Sequence, residues 1–479
     1  MLFNSIEFII FFPLVTLIYF ALPHRFRWLH LLLSSCVFYM FFIPVYIFIL
    51  SFTIIIDYYA GMFIEQALDR RRKKTWLVLS ICANVGVLAV FKYYNFFIEN
   101  VNQLLGHDAS FTLPYLQILL PVGLSFHTFQ AMSYTIEVYR GNQKAERHFG
   151  IYALYVMFYP QLVAGPIERP QNMLHQFYER HEFDYHRVVS GLRLMLWGLF
   201  KKVVVADNLV HVVNTVYGDP THQNSLTYLI AAVFFSFQIY CDFSGYSDIA
   251  RGSARVMGFS LMENFKLPFI SQSIREFWSR WHISLSTWFR DYLYIPLGGS
   301  RVPKWMHCLN LMIVFLVSGL WHGANWTFVI WGALHGIAMI FGTLFLFSAR
   351  KTGGLFPFLR TLAVFAFVTL VWVFFRAESA HTALEILKTI ASGFIPDLRN
   401  YLEGKAIFNG LGEFTIHEIL WMSLLIALFF IADISKEKRS IKDHFLASPL
   451  WRMACYFVLF YSLVFIGYWG NTQFIYFQF

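Results

Sequence analysis

Apolar runs of membrane-crossing length alternate with short polar joints along most of this chain. The first run is Ile6 to Leu22, followed by Arg25 and Arg27. Leu31–Phe42 and Val45–Tyr59 come next, separated by Pro44, and lead to the basic cluster Arg70–Lys74. Trp76–Val90, a polar stretch Asn100–Ser110 and Leu116–Val138 follow, closed by Arg140, Lys144 and Arg147. Basic loops mark the cytoplasmic side. On that rule these segments cross alternately and the N-terminus lies outside. The first run lacks a basic leader and a small-residue cleavage site, which makes it a retained span.

The middle breaks this rhythm. Tyr152–Ala164 is short and ends in GPIERP. Ser190–Val205 is interrupted by Arg193, Lys201 and Lys202 and reads as an interfacial or partly inserted helix. Thr227–Tyr240 runs into CDFSGYSDIARGSARVMGF, and Glu263–Arg301 is both polar and aromatic. Irregular backbone at membrane depth needs cover from protein or a water-filled cavity. Tyr152–Arg301 is therefore expected to be a re-entrant core around such a cavity. Regular runs resume with Leu309–Leu320 and Trp326–Phe347, then Arg350, Lys351 and Arg360 on the inner side. Leu362–Phe375 crosses out, Ala377–His417 is a long outer segment, and Ile419–Ile434 returns to Lys436–Lys442. Trp451–Ile466 then leaves the tail FIYFQF outside. This gives an all-α polytopic membrane protein of about eleven crossings. It is one membrane domain, 1–479, divided into N-terminal helices (1–148), a catalytic core (149–345) and C-terminal helices (346–479).

Composition agrees. Of 479 residues, 58% are hydrophobic, 20% aromatic and only 14% charged, less than a soluble domain carries. The apolar runs are continuous, which excludes an alternating outer-membrane barrel. The net charge of +9 sits in the loops as an orientation signal and implies the bilayer, not nucleic acid, as partner. The five cysteines form no CxxC pair or disulfide framework.

His322 is the main chemical candidate. It lies within LNLMIVFLVSGLWHGANWTFVIWGALHG, between two apolar runs. A titratable ring at membrane depth lines a polar cavity, pairs with another polar group or does chemistry. An imidazole accepts a proton at neutral pH, which suits a base acting on a nucleophile. A structural histidine bonded to a carbonyl is the alternative. Gly319 and Gly323 remove bulk for a bend or a close helix approach. Trp321, Trp326 and Trp331 offer flat walls, and Asn325 a polar neighbour. His282, in SRWHISLSTWFRDY, is a second lining group, or else part of an interfacial helix with Arg275, Glu276, Arg280, Arg290 and Asp291. No metal site is expected. His127, His282, His322 and His335 are scattered, and His322 and His335 sit about 220° apart around a helix. Asp242 to Asp248 either caps a following helix or offers Asp242 to the cavity. GPIERP reads as a rigid turn pairing Glu168 with Arg169. No GxSxG, Walker or GxGxxG motif occurs, so serine hydrolases, nucleotide-driven pumps and dinucleotide enzymes lack support.

Six stretches together resemble the membrane-bound O-acyltransferase family, in particular its bacterial alginate O-acetyltransferase branch. They are LPVGLSFHTFQAMSYTIEVYRG, LVAGPIERP, CDFSGYSDIARGSARVMGF, FWSRWHISLSTWFRDYLYIPLGGSR, SGLWHGANWTFVIWGALHG and the terminal FIYFQF. The resemblance implies His322 as the catalytic histidine and His282 as the upstream one, near the middle of a membrane core pierced by a tunnel. It implies transfer of an acyl group, usually acetyl, from a cytoplasmic thioester toward an extracytoplasmic polysaccharide such as alginate. A periplasmic esterase-like acetyltransferase is the expected partner, and the bacterial inner membrane the location, with both termini extracytoplasmic. Acetyl-CoA is the expected donor substrate, with no permanently bound cofactor. It would dock near Lys266–Arg301, where basic residues suit phosphates. His322 would deprotonate the acceptor hydroxyl, and His282 or Asn325 would stabilise the oxyanion. Asp242, Tyr246, Trp321 and Arg280 complete the candidate lining. An acyl-enzyme route, the related D-alanyl branch and a histidine-dependent proton-coupled transporter stay open as alternatives.

Overall fold

The computed structural model describes residues 1–479 except 106–111, 118–120, 164, 220–222, 345–354, 404–413, 438–447, 471–473 and 476–479. The described secondary structure is helical throughout, with no strand. Seven described helices are long and apolar enough to cross a membrane, and Ile6–Ala21 and Pro449–Phe465 are shorter apolar helices. The chain is thus a polytopic all-α membrane protein. It divides into two compact units, residues 1–195 with 247–263 and residues 196–246 with 264–479.

The first unit holds α1 (Ile6–Ala21), α2 (His24–Met40), α3 (Ile47–Gln66), α4 (Arg70–Leu88), α5 (Tyr94–Leu105) and α6 (Leu124–Arg140). Ser5 caps α1 by accepting the Phe8 N–H. Several joints read as loops are helix instead. Arg25 and Arg27 lie in the first turn of α2, which starts directly after Pro23. Arg70–Lys74 opens α4, because Asp69 accepts the Arg71 and Arg72 N–H groups and holds that end in register. A π-turn over Ala89–Tyr93 carries α4 into α5, so helix runs through Leu105 where an outer loop was expected from Asn100; the expected loop from 106 on lies outside the described residues.

Unit one buries a carboxyl among neutral donors. Asp57 of α3 accepts the Ser80 hydroxyl at 2.5 Å and the Asn84 amide at 2.9 Å, both from α4. Ser80 also bonds Thr135 of α6 at 3.0 Å. Three helices are joined by side-chain hydrogen bonds where little hydrophobic force acts between them.

Short helices α7 (Phe149–Met157), α8 (Tyr159–Leu162) and α9 (Pro170–Met173) follow, bent at GPIERP. Glu168 there is buried and accepts the Met262 N–H, tying the loop to the chain beyond the next long helix. The anchor is therefore this backbone bond, beyond the expected local pairing with Arg169.

Two long helical runs supply the frame of the site. The first is α10 (Tyr185–Leu199), a π-segment Phe200–Ala206 and α11 (Asp207–Gly218). The second is α12 (Ser225–Met257). Neither matches its expectation. Phe200–Ala206 is buried on every side, so this part is no interfacial helix; Lys202 is matched by two buried carboxylates and Lys201 donates to the Ser244 hydroxyl. Asp242–Asp248 lies inside α12 and caps nothing, because the helix continues through it to Met257.

The second unit continues with α13 (Ile274–Arg280), α14 (Ile283–Phe289), α15 (Lys304–His322), α16 (Trp326–Leu344), α17 (Leu355–Arg376), α18 (Ala380–Leu402), α19 (Ile416–Glu437) and α20 (Pro449–Phe465). The expected long outer segment Ala377–His417 contains α18, capped by Ser379 through the Thr382 N–H. Arg350, Lys351, Phe347, Glu413 and 438–442 lie outside the described residues.

Candidate active site

His322 is the last residue of α15, and glycines set its position. A Cβ on Gly319 would lie 2.3 Å from the Phe328 carbonyl oxygen, and one on Gly332 would lie 2.3 Å from that of Phe315. A Cβ on Gly323 would meet the Phe328 ring at 2.1 Å. Only side-chain-free backbone lets α15 and α16 cross this closely. The sharp return fixes the His322 ring against Trp321 at 5.0 Å, Trp331 at 5.1 Å and Phe375 at 5.4 Å between centroids.

His282 is held differently. It sits between α13 and α14 with φ 44°, ψ 53°, the left-handed region where a side chain is disfavoured. Asn264 stabilises this turn: its carbonyl accepts the Ile283 N–H at 2.9 Å and its side-chain oxygen the Ser284 N–H at 3.1 Å. The imidazole lies edge-on to Phe243 of α12 at 4.6 Å. Its centroid is 6.4 Å from that of His322 and 6.1 Å from Trp321. The chain thus brings together two histidines forty positions apart (322 − 282). Both rings are buried, with 0% exposure for His282 and 3% for His322. Aromatic side chains surround them where a hydrated passage was expected.

Asp242 and Tyr246 lie one turn apart on α12. A Cβ on Gly245 would stand 2.8 Å from the Gly198 carbonyl oxygen, so α12 crosses the end of α10 backbone to backbone. That contact sets Asp242 beside Lys202, whose ammonium lies 2.7 Å from Asp242 and 2.8 Å from Asp207. One buried cation serves two buried carboxylates, and Lys201 donates to Ser244 at 3.2 Å. Asp242 therefore belongs to an ion network and is not a bare cavity group. Its second oxygen accepts the Ile475 N–H at 2.7 Å. In the terminal tail Phe474 and Ile475 are buried, with Phe474 stacked on Tyr246 at 4.4 Å; residues 476–479 lie outside the described residues.

Trp321 reaches both histidines, as a wall should. Asn325 does other work: its side-chain oxygen accepts the Thr327 N–H at 3.0 Å, capping α16, and its amide donates to the Glu378 carbonyl at 3.3 Å. Arg280 is tied to Glu276 at 3.0 Å and to the Lys266 carbonyl at 3.1 Å, bracing α13. Sequence reasoning weighed His335 only as a metal ligand; it is buried, accepts the Trp278 indole N–H at 3.4 Å and lies 4.9 Å from Trp331, which also meets His322. The pairing of Lys202 with Asp207, five positions on, was the visible hint of the ion network. Among the described residues no group of three or more His, Cys, Asp or Glu is placed to hold a metal ion.

Comparison with known proteins places this geometry. The profile of MBOAT, the membrane-bound O-acyltransferase family, matches residues 16–378, spanning both histidines. The chain is similar to the peptidoglycan O-acetyltransferase of Helicobacter pylori, 38% identical over 81% of this chain and 79% of that protein. It is likewise similar to the probable alginate O-acetylase AlgI of Azotobacter vinelandii, 40% identical over 80% of this chain and 76% of that one. The teichoic acid D-alanyltransferase of Bacillus subtilis is more distant, 27% identical over 51% of this chain and 64% of its own length. On the extent of that match, the chain belongs to the membrane-bound O-acyltransferase family and is an O-acyltransferase.

Proposed function

We propose that this protein O-acetylates an extracytoplasmic polysaccharide, taking acetyl from a cytoplasmic thioester, with acetyl-CoA as donor. His322 removes the proton of the acceptor hydroxyl as its oxygen attacks the thioester carbonyl. The carbon–sulfur bond breaks, the ester forms, and the proton passes from His322 to the departing thiolate. His282, across the 6.4 Å gap between ring centroids, steadies the oxyanion. The two rings are close enough to serve one reacting centre, His322 at the attacking hydroxyl and His282 at the carbonyl oxygen. The acceptor is a hydroxyl of a periplasmic esterase-like partner or of the glycan, reached when the aromatic wall around the pair gives way. The protein works in the bacterial inner membrane with both termini extracytoplasmic.

The observation that carries this reading is the convergence of His282 and His322 inside one unit and within the family-matched region. The names of the 38–40% identical relatives, acetylating peptidoglycan or alginate, support acetyl over D-alanyl transfer. The test uses membrane vesicles from cells making this chain, in which labelled acetyl passes from acetyl-CoA to glycan. His322→Ala, folded and inserted, is expected to lose activity by about 10²–10⁴-fold. Full transfer by that variant rejects the role. Solute or proton flux without acetyl-CoA consumption points to a transporter, and transfer from a D-alanyl carrier protein alone points to the other branch.

A further inference from the structure

The geometry points to Phe474 and Ile475, at the far end of the chain, as positioning residues for His282; the inference rests on the acetyl-transfer reading above. Asp242, Phe243 and Tyr246 form one patch of α12. The tail engages all three. Ile475 donates its N–H to Asp242 at 2.7 Å. Phe474, fully buried, stacks on Tyr246 at 4.4 Å and an interplanar angle of 30°, and lies 5.8 Å from Phe243. Phe243 in turn meets the His282 ring at 4.6 Å and 85°. The order of contact is tail, Phe243, imidazole.

The approach of the tail is fixed by other bonds. After α20 the Tyr468 N–H donates to the Val203 carbonyl at 3.0 Å, inside the buried π-segment. Asn208 donates to the Ile466 carbonyl at 3.0 Å, and the Trp469 indole to the Leu463 carbonyl at 2.8 Å. The chain is thus directed inward before Phe474 is reached. At the other end, Asp242 is oriented by the Lys202 ammonium at 2.7 Å, and Lys202 by Asp207 at 2.8 Å. A buried carboxylate needs its oxygens paired, and a charge-assisted N–H bond is among the stronger ways to do so. Without the tail, Asp242 loses that donor and Phe243 loses the ring behind it. His282 sits in a disfavoured backbone conformation, so its ring pose depends on what packs around it. Displacing a group by about 1 Å at a reacting centre is enough to cost about a hundredfold in rate.

Two variants test this in the vesicle assay. Ile475→Pro removes the N–H and nothing else of the bond, and Phe474→Ala removes the ring. Each is expected to lower kcat about tenfold or more with the KM for acetyl-CoA within about twofold, because the donor's binding groups are untouched. Ile475→Val, which keeps the N–H, restores the rate. A merely structural role would lower the amount of folded protein and leave kcat per folded molecule unchanged. Folded Ile475→Pro and Phe474→Ala with unchanged kcat overturn the inference. If either variant fails to fold, amide exchange of the unaltered protein decides: slow exchange at Ile475 supports the docked tail, and exchange as fast as in a solvated end overturns it. Loss of activity in His322→Ala with full activity in the tail variants sinks this inference alone, whereas an active His322→Ala sinks the transfer reading itself.

Discussion

His322 and His282 face each other from supports of opposite kinds. His322 ends a long apolar helix, and its place follows from backbone crossing backbone at Gly319 and Gly332. His282 sits between two seven-residue helices in a left-handed turn, and its place follows from one asparagine and an aromatic neighbour. The first support is extended, apolar and insensitive to any single hydrogen bond. The second is local and polar. A pair built this way has one member fixed by the membrane-spanning frame and one member adjustable by its surroundings. Changes to the frame should therefore act through folding, and changes to the turn through chemistry.

Substitutions at four positions break or sharpen that contrast, in falling order of effect. Gly332→Ala forces a methyl to within 2.3 Å of the Phe315 carbonyl. It should cost about 2–3 kcal/mol as an overpacked crossing, read as a lower thermal midpoint in detergent and loss of activity in proportion to lost fold. Asn264→Ala leaves the buried Ser284 N–H without its acceptor. An orphaned donor costs about 1–2 kcal/mol, and here kcat should fall further than the stability does; equal losses would erase the distinction. His282→Asn and His282→Ala separate backbone from ring. Asparagine tolerates the left-handed region and alanine does not, so the two should differ by about 1 kcal/mol in stability while both lose the ring's contribution to rate. Asn325→Ala removes the α16 cap, costing about 0.5–1 kcal/mol, together with the amide bond to the Glu378 carbonyl, and Asn325→Asp should recover the cap. A large kcat effect in Asn325→Asp with normal stability would instead return Asn325 to the reacting centre.

The same contrast explains what could be read from the sequence. The His322 element was legible because its determinants are contiguous: an apolar run, GLWHG, then a second run. Gly319 and Gly323 signalled close approach, and the helices cross there. The His282 environment was not legible in its supports. Asn264 and Phe243 come from elsewhere in the chain, and nothing local marks a left-handed histidine. Asp242–Asp248 misled because Asp, Ser and Gly are cap residues, yet Gly245 serves a helix crossing and Asp242 an ion network. Lys201 and Lys202 suggested an interface because cations are rarely buried; the two carboxylates that meet Lys202 come from five and forty positions on, 207 − 202 and 242 − 202. The docking of Phe474 and Ile475 was not legible, because nothing in those two residues records an N–H bond to Asp242.

Asp57 has a consequence for how the chain is made. Among the described residues its carboxyl finds its donors on α4, through Ser80 and Asn84, and Ser80 in turn reaches Thr135 of α6. An isolated α3 in hydrocarbon would hold an acidic group with nothing to solvate it. Lateral release of α3 into lipid is therefore favourable only alongside α4, as a hairpin, and the pair still presents a polar seam until α6 has been synthesised. Biogenesis of this region is thus coupled to the order in which helices leave the ribosome, and an interruption between α4 and α6 would leave an intermediate that quality-control proteases can recognise.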